Sequence, residues 1–539
     1  MDQNPYYNIV MKNIVPRVLT QLDKDPQSPT FGCFDRHFWH YKIRDFCSMV
    51  LQQPTLVLAR LYTTNFEGNI YYKNENVKRW TLAAINFWAR FSHRDGSSDE
   101  YWPNEHGYPP TVFTLYAIAE SYRAIGLKDE YIEKRLLKTC KWISKRIEKD
   151  AVNQEIASIA ALYSVFLITK NKNLLQVIEK KLKYVKASQD VEGWFNEYGG
   201  ADPGYLSVSL DYLGQYYALS QDKRVLPMVE KILDFVQYFV HPNATYGGEY
   251  GSRNTEYFMP AGIELFSKKY KIAKSISAKL TEKIDTAEYL HLGIDDRYLG
   301  DYLSRSFVDA MISHRTDSDK ERIKLPCEKK TEKLFENAGL YVRGDGKCYL
   351  VVGISKGGIV KLYSSDRLIL SDCGYRIERG RHKYEVTDWI NKEYKTNQKP
   401  EEISIEGRFY LTGFRTPGII MHMTLRLLAS ILRDKMIKLI KKIFIKKAKK
   451  TETGFTRKLY FKNKEMIIHD EISSQSKIRK MASNSRFSLR YVPSSKFFQT
   501  DTLRDGRQIT LINFKKAIIE KRISLTYPWR SSPVRIHKE

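Results

Sequence analysis

Three loops of this chain set a carboxylate beside a phenol: Glu100-Tyr101, Glu197-Tyr198 and Glu249-Tyr250. Nearby in sequence lie further groups suited to sugars: Trp194, Asp202, Tyr205, Arg253, Asn254 and His106. Asn153 and Gln154 stand about midway between the first two pairs. Elimination across a uronic acid needs a neutralised carboxylate, a base for the adjacent C–H proton and an acid for the leaving oxygen. Arg253 and Asn254, with Asn153 and Gln154, can supply the first, the Arg as a bidentate clamp. Tyr205 or Tyr198 can supply base and acid, and His106, in NEHGYPP, is an alternative base. The carboxylates allow a second chemistry. Glu197 facing Asp202 or Glu249, in loops that also hold Glu100 and Glu256, could hydrolyse a glycosidic bond as acid and base. The Trp194 ring could stack on a sugar face. A third reading is a non-catalytic glycan-binding or assembly protein, in which the Glu-Tyr pairs cap helices and tie one loop to the next.

Each Glu-Tyr loop is Gly-rich and aromatic and precedes an apolar helical stretch, as does NQEIASIAALY from Asn153. The entries recur at one or two multiples of about 50 residues, the period of stacked supersecondary units. Helical hairpins around one axis would bring these loops to one cleft. VKRWTLAAINFWARFSH, TVFTLYAIAESYRAIGL, EIASIAALYSVFLIT, SVSLDYLGQYYAL and LPMVEKILDFVQYFV all have helical length and Gly/Pro/Asn punctuation between them. Past residue 325 the texture becomes strand-turn-strand, with Gly-Asp-Gly and Lys-Gly-Gly turns. The expected architecture is α+β and multidomain: an (α/α) toroid over 1–315, a charged linker over 316–335, and an antiparallel β-sandwich over 336–539. Within the β half, 424–450 reads as a basic amphipathic helix, with Leu432, Met436, Leu439, Ile440 and Ile443 on one face. Its lysines, among them Lys438, Lys441, Lys442 and Lys446, suit anionic lipid headgroups.

The net charge of +27 points to an anionic partner: an acidic glycan, a membrane surface or nucleic acid. Nucleic acid ranks last, since no zinc-finger, RRM-like or helix-turn-helix signature stands out. Six scattered cysteines without a CxxC fit neither a disulfide framework nor a zinc site. The two histidines of HFWHYKIRD share a helical face but lack further ligands, so the segment reads as an aromatic wall of the cleft. No metal or cofactor is expected. The N-terminus lacks the pattern of a signal peptide, and no run approaches the ~20 apolar residues of a membrane span. The expected location is the cytoplasm, peripheral to the inner membrane face.

EGWFNEYGGADPGY, from Glu192 to Tyr205, is similar to the Asp-Gly-aromatic-x-Glu-Gly…Tyr stretch of the heparinase II/III-like superfamily of alginate and heparin lyases. The resemblance implies a helical toroid followed by a β-sandwich, and it places Tyr205 as catalytic acid/base. The family's Asn-His pair corresponds to Asn153-Gln154, so the Asn is kept and Gln stands for His. A β-domain His is replaced by Leu or Tyr, while Ser371, Asp372 and Gly374 keep the shape of the strand end. With WHYKIRDF and the basic helix, the chain most resembles uncharacterised heparinase-like proteins found alongside bacterial surface-glycan synthesis enzymes. That implies an acidic polysaccharide, or its lipid-linked oligosaccharide precursor, as partner.

Overall fold

A computed structural model describes residues 4–286, 293–315, 322–399, 401–413, 418–440, 449–462, 465–484, 509–525 and 532–539. Its N-terminal part is helical. The principal helices are α1 (Thr55–Thr63), α2 (Glu75–Phe91), α3 (Tyr108–Ala124), α4 (Glu130–Ser144), α5 (Val152–Thr169), α6 (Asn173–Ser188), α7 (Pro203–Ser220), α8 (Leu226–Val236), α9 (Pro260–Ser267), α10 (Lys271–Thr281) and α11 (Ser304–Ser313). Alternate helices contact one another in order: α1 to α3, α3 to α5, α5 to α7, α7 to α9 and α9 to α11. Helix α11 returns to touch α1, so the inner helices form a closed ring.

The sequence distinguishes inner from outer helices. Inner helices α3, α5 and α7 are buried nearly all round, as helices without a polar face must be. Outer helices α2, α4 and α6 bury one stripe each. Helix α5 is long and apolar enough to cross a membrane by composition, but most of it is covered by its neighbours in the ring. Side-chain caps come from Asn74, Asp129 and Asp202, at the starts of α2, α4 and α7, and not from the glutamates of the Glu-Tyr pairs. Helices α3, α5, α7 and α9 each start at or just after one of the four entries read from the sequence, which gathers those loops at one end of the ring.

The C-terminal part is two antiparallel sheets. The smaller runs in chain order: β1 (Lys330–Phe335), β2 (Leu340–Asp345), β3 (Cys348–Gly353), β4 (Ile359–Ser364) and β5 (Arg367–Asp372). The larger contains β6 (Tyr375–Gly380), β7 (Lys383–Val386), β8 (Lys395–Lys399), β9 (Glu402–Gly413), β10 (Lys449–Lys462), β11 (Glu465–Ser483), β12 (Thr510–Ser524) and β13 (Arg535–Lys538). Strand β10 pairs with both β9 and β11, which curls this sheet on itself. The small sheet is a middle layer. On β3, Tyr349 and Val351 join the helical core, while Leu350 and Val352 join the core between the sheets. Period-two alternation serves two cores at once, and so the strand is apolar throughout.

Two boundaries differ from the sequence reading. The stretch 316–335 contains β1, whose KTEKLF is a charged edge strand paired with β2. Edge strands carry charge against aggregation, which makes them resemble linkers. The basic segment is not one helix over 424–450. Helix α12 (Ile419–Leu432) starts earlier and stops at Arg433, whose φ of 49° breaks it before α13 (Asp434–Ile440). Met436 is buried and Lys449 and Lys450 begin β10. Lys441, Lys442 and Lys446 lie outside the described residues.

Asp372, at the strand end noted in the sequence, is structural. Arg457 is 1% exposed. It holds Asp372 at 3.0 Å and grips both oxygens of Asp470, at 2.7 and 2.9 Å. Burial opposes the charge on Asp372, but Arg457 and Lys521 outweigh it and hold the carboxyl well below the usual range. Arg457→Met should destabilise the protein by about 3–5 kcal/mol, because Asp470 would stay buried without its cation and Asp372 would keep only Lys521 as a cation. Denaturant unfolding checks this. The loss should shrink in acid, where Asp372 in the wild type also gives up its stabilising charge.

Candidate active site

The loops at the end of the ring are joined by backbone hydrogen bonds. Tyr198 N donates to Asp150 O at 2.6 Å, and Val152 N to Asn196 O at 3.2 Å. Ser252 N donates to Ala201 O at 2.8 Å, and its hydroxyl to Glu197 O at 2.6 Å. Gly204 lets the third loop lie against the start of α7, since a Cβ there would meet Thr255 Cγ2 at 2.2 Å. Within this frame Tyr198 adopts a φ of 54°, a conformation that costs a bulky L-residue about 1–2 kcal/mol.

These contacts bring together five sequence-read residues: Asn153, Glu197, Tyr198, Tyr205 and Arg253. Asn153 donates to Glu197 Oε1 through both Nδ2, at 2.6 Å, and its backbone N, at 3.1 Å. Arg253 Nη1 lies 3.8 Å from Glu197 Oε2. The Arg253 guanidinium stacks between two phenols, 3.8 Å from the Tyr205 ring centre and 4.6 Å from that of Tyr198. Glu197 is buried, and burial pushes its carboxyl up to about 8, against the opposing pull of Arg253 and Asn153. At neutral pH it is largely a neutral acid. Glu197 Oε2, Arg253 Nε and Gln154 Oε1 are buried with no hydrogen-bond partner. Glu197 Oε2 and Arg253 Nε belong to side chains that lie together, and leaving them unpartnered is a cost that a polar ligand would relieve.

The site extends toward the first Glu-Tyr loop. The Tyr205 ring packs edge-on to Tyr257, whose hydroxyl accepts from Tyr298 at 2.6 Å. Tyr298 packs on Tyr302, and Tyr101 is close enough to Tyr205 for the two phenols to influence one another's charge. Arg297 is partly exposed, 3.5 Å from Glu100 and 5.2 Å from the Tyr101 ring centre. Two arginines therefore flank a run of phenols. Tyr257 ends the third Glu-Tyr loop, beside Glu256, whereas Arg297 and Tyr298 carry no local signal in the sequence; only the closure of the ring brings their segment beside this site.

Other sequence-read residues have different places. Asp202 caps α7 through Tyr205 N at 3.0 Å, and its other oxygen accepts from the backbone N of Arg253 and Thr255. It positions Tyr205 and Arg253 and does not face a ligand. Glu249 pairs with Lys361 of β4 at 2.6 Å, and Glu256 with the same amine at 3.2 Å, at the seam between helices and strands. Tyr250 is buried in that seam against His241. The Asn254 side chain accepts from Lys356, whose amine also holds the Glu249 and Gly251 carbonyls. Trp194 is buried in packing, its Nε1 donating to Glu192 at 3.1 Å, so it offers no open stacking face. His106 is buried, bound to Ser97 at 2.6 Å and Asp95 at 3.1 Å and stacked on His93. These groups are used by the fold because long-range partners claimed them, and those partners are invisible to local spacing.

A ring of helical hairpins followed by stacked antiparallel sheets is a fold shared with two solved polysaccharide lyases. The Streptomyces coelicolor A3 chondroitin AC lyase, in complex with chondroitin sulphate, aligns over 97% of this chain and 76% of its own. Its TM-score is 0.56 at 9% identity. Heparinase III aligns over 91% of this chain and 74% of its own, with a TM-score of 0.50 at 11% identity. At these identities the likeness concerns fold, and it agrees with the heparinase-like architecture that the sequence resembles. No protein-family model matches the chain, and no curated protein matches it in sequence.

Proposed function

We propose that this protein is a polysaccharide lyase with an (α/α) toroid and a β-sandwich, cleaving an acidic, uronate-containing surface polysaccharide or its lipid-linked precursor by β-elimination. The observation that carries this reading is the convergence of Asn153, Glu197, Arg253 and Tyr205 around unpartnered polar atoms. Arg253 and Arg297 supply positive charge for an acidic chain. Glu197, as a neutral acid, can donate a hydrogen bond to the sugar carboxylate, which offsets its charge and acidifies the neighbouring C–H. Asn153 holds Glu197 in place. The Tyr205 side chain can take up the C–H proton and return it to the leaving oxygen, with Arg253 fixed against its ring as negative charge develops. The runner-up hydrolase needs two carboxylates facing each other across a sugar. Asp202 and Glu249 each have their own partners, which favours elimination.

The test is incubation with uronate polysaccharides. Elimination creates a conjugated unsaturated end that absorbs in the ultraviolet. New reducing ends without that absorbance would select the hydrolase. Binding with neither signal would select a non-catalytic glycan-binding or assembly protein.

A further inference from the structure

Between β9 and β10 the chain leaves the large sheet and forms α12, which is apolar on two sides. Leu425, Leu428 and Leu432 are partly covered and Ala429 is buried, so this side faces the protein. The other side carries Ile419, Ile420, Met423, Leu427 and Ile431, which are 80%, 82%, 66%, 64% and 69% exposed. Spacings of three and four set Ile420, Met423, Leu427 and Ile431 in one stripe along the helix. A contiguous exposed stripe of this kind marks a docking surface. The helix is also pinned. Arg426 grips both oxygens of Asp45, at 2.6 and 2.9 Å, and Arg146 holds Asp434 at 3.2 Å, just past its end. Both tethers lie at the loop end of the ring: Asp45 is close in sequence to Ser48, which Arg297 touches, and Arg146 to Asp150, which holds Tyr198.

We infer that α12 is a docking face for an anionic lipid bilayer, lying in the headgroup plane and turning the loop end of the ring toward the membrane. Three observations select this occupant. With 14 residues the helix is about 21 Å long, too short to cross a hydrocarbon core of about 30 Å. Residues 433–450 carry nine Lys or Arg and a single acid, Asp434, so the helix is followed in sequence by a basic run complementary to anionic headgroups. A second copy of this chain would bring another net charge of +27 against the first. The inference stands apart from the lyase reading, since it uses none of the site residues.

The test is flotation of the intact protein with vesicles of phosphatidylcholine alone or with phosphatidylglycerol added. The wild type should float with the anionic vesicles only, and added salt should weaken this. Ile420→Glu with Leu427→Glu should lower partition by about tenfold or more, with an unchanged melting curve because both side chains face solvent. Changing Lys438, Lys441, Lys442 and Lys446 to Glu should remove the preference for anionic lipid. Equal flotation of variants and wild type, no flotation of the wild type, or a dimer split by the apolar substitutions would each overturn the inference. Activity on a soluble polysaccharide should be the same in these variants.

Discussion

Tyr205→Phe is expected to lower elimination on a uronate polysaccharide by about 10³-fold, within the range for loss of a general acid–base group. The loss should fall on kcat with KM little changed, because the ring and its stacking with Arg253 remain. Stability should fall by about 1 kcal/mol, since the Tyr205 hydroxyl's hydrogen bond with Tyr257 is lost while that between Tyr257 and Tyr298 persists. Turnover followed by ultraviolet absorbance, together with a thermal melt, checks both halves. Full activity in the variant would remove Tyr205 from the mechanism.

Glu197→Gln carries the second large effect, and it reads out as pH dependence. In the unfolded chain this carboxyl ionises near 4.5; in the fold it is pushed to about 8, mainly by burial. Between those values the folded state keeps a proton that the unfolded state releases. Stability therefore falls as pH rises through this window and levels off above about 8. Gln cannot ionise, so the variant should melt at the same temperature as wild type near pH 4 and several degrees higher at pH 8. Glu105, pushed to a similar value by burial beside Glu100, is common to both proteins and cancels in the difference. In catalysis, wild-type elimination should decline above pH 8 as the neutral acid is lost. The variant keeps a hydrogen-bond donor, so it should retain most activity and lose that alkaline limb. A paired-carboxylate hydrolase would instead lose nearly all activity on this substitution. Identical melting differences at pH 4 and pH 8 would mean that Glu197 does not titrate as its burial requires.

Much of the fold could be read without coordinates. Helices α3, α5, α7 and α9 follow the four entries that the loops announce, because each loop must reset the chain for a new inner helix. The change to strands past residue 325 was equally plain, since Gly turns and β-branched runs act locally. Strand β1 reads as a linker in sequence because an edge strand and a linker use the same charged residues. Helix α12 was placed too late in the chain, since lysine-rich periodicity after Arg433 outweighed the apolar residues before it.

The site was legible as a set of candidates but not as a geometry. Residue type and loop position, with the resemblance to the lyase stretch for Asn153 and Tyr205, name Asn153, Glu197, Tyr205 and Arg253 as candidates, because a repeating architecture delivers its loops to one end. What only the tertiary structure decided was which polar groups stay unpartnered. Lys361 takes Glu249, Lys356 takes Asn254 and backbone N–H groups take Asp202, whereas Glu197 is left half-satisfied beside Arg253. Local sequence sets what a side chain can do. The distant segment that packs against it sets whether that capacity is consumed by the fold or left facing a ligand.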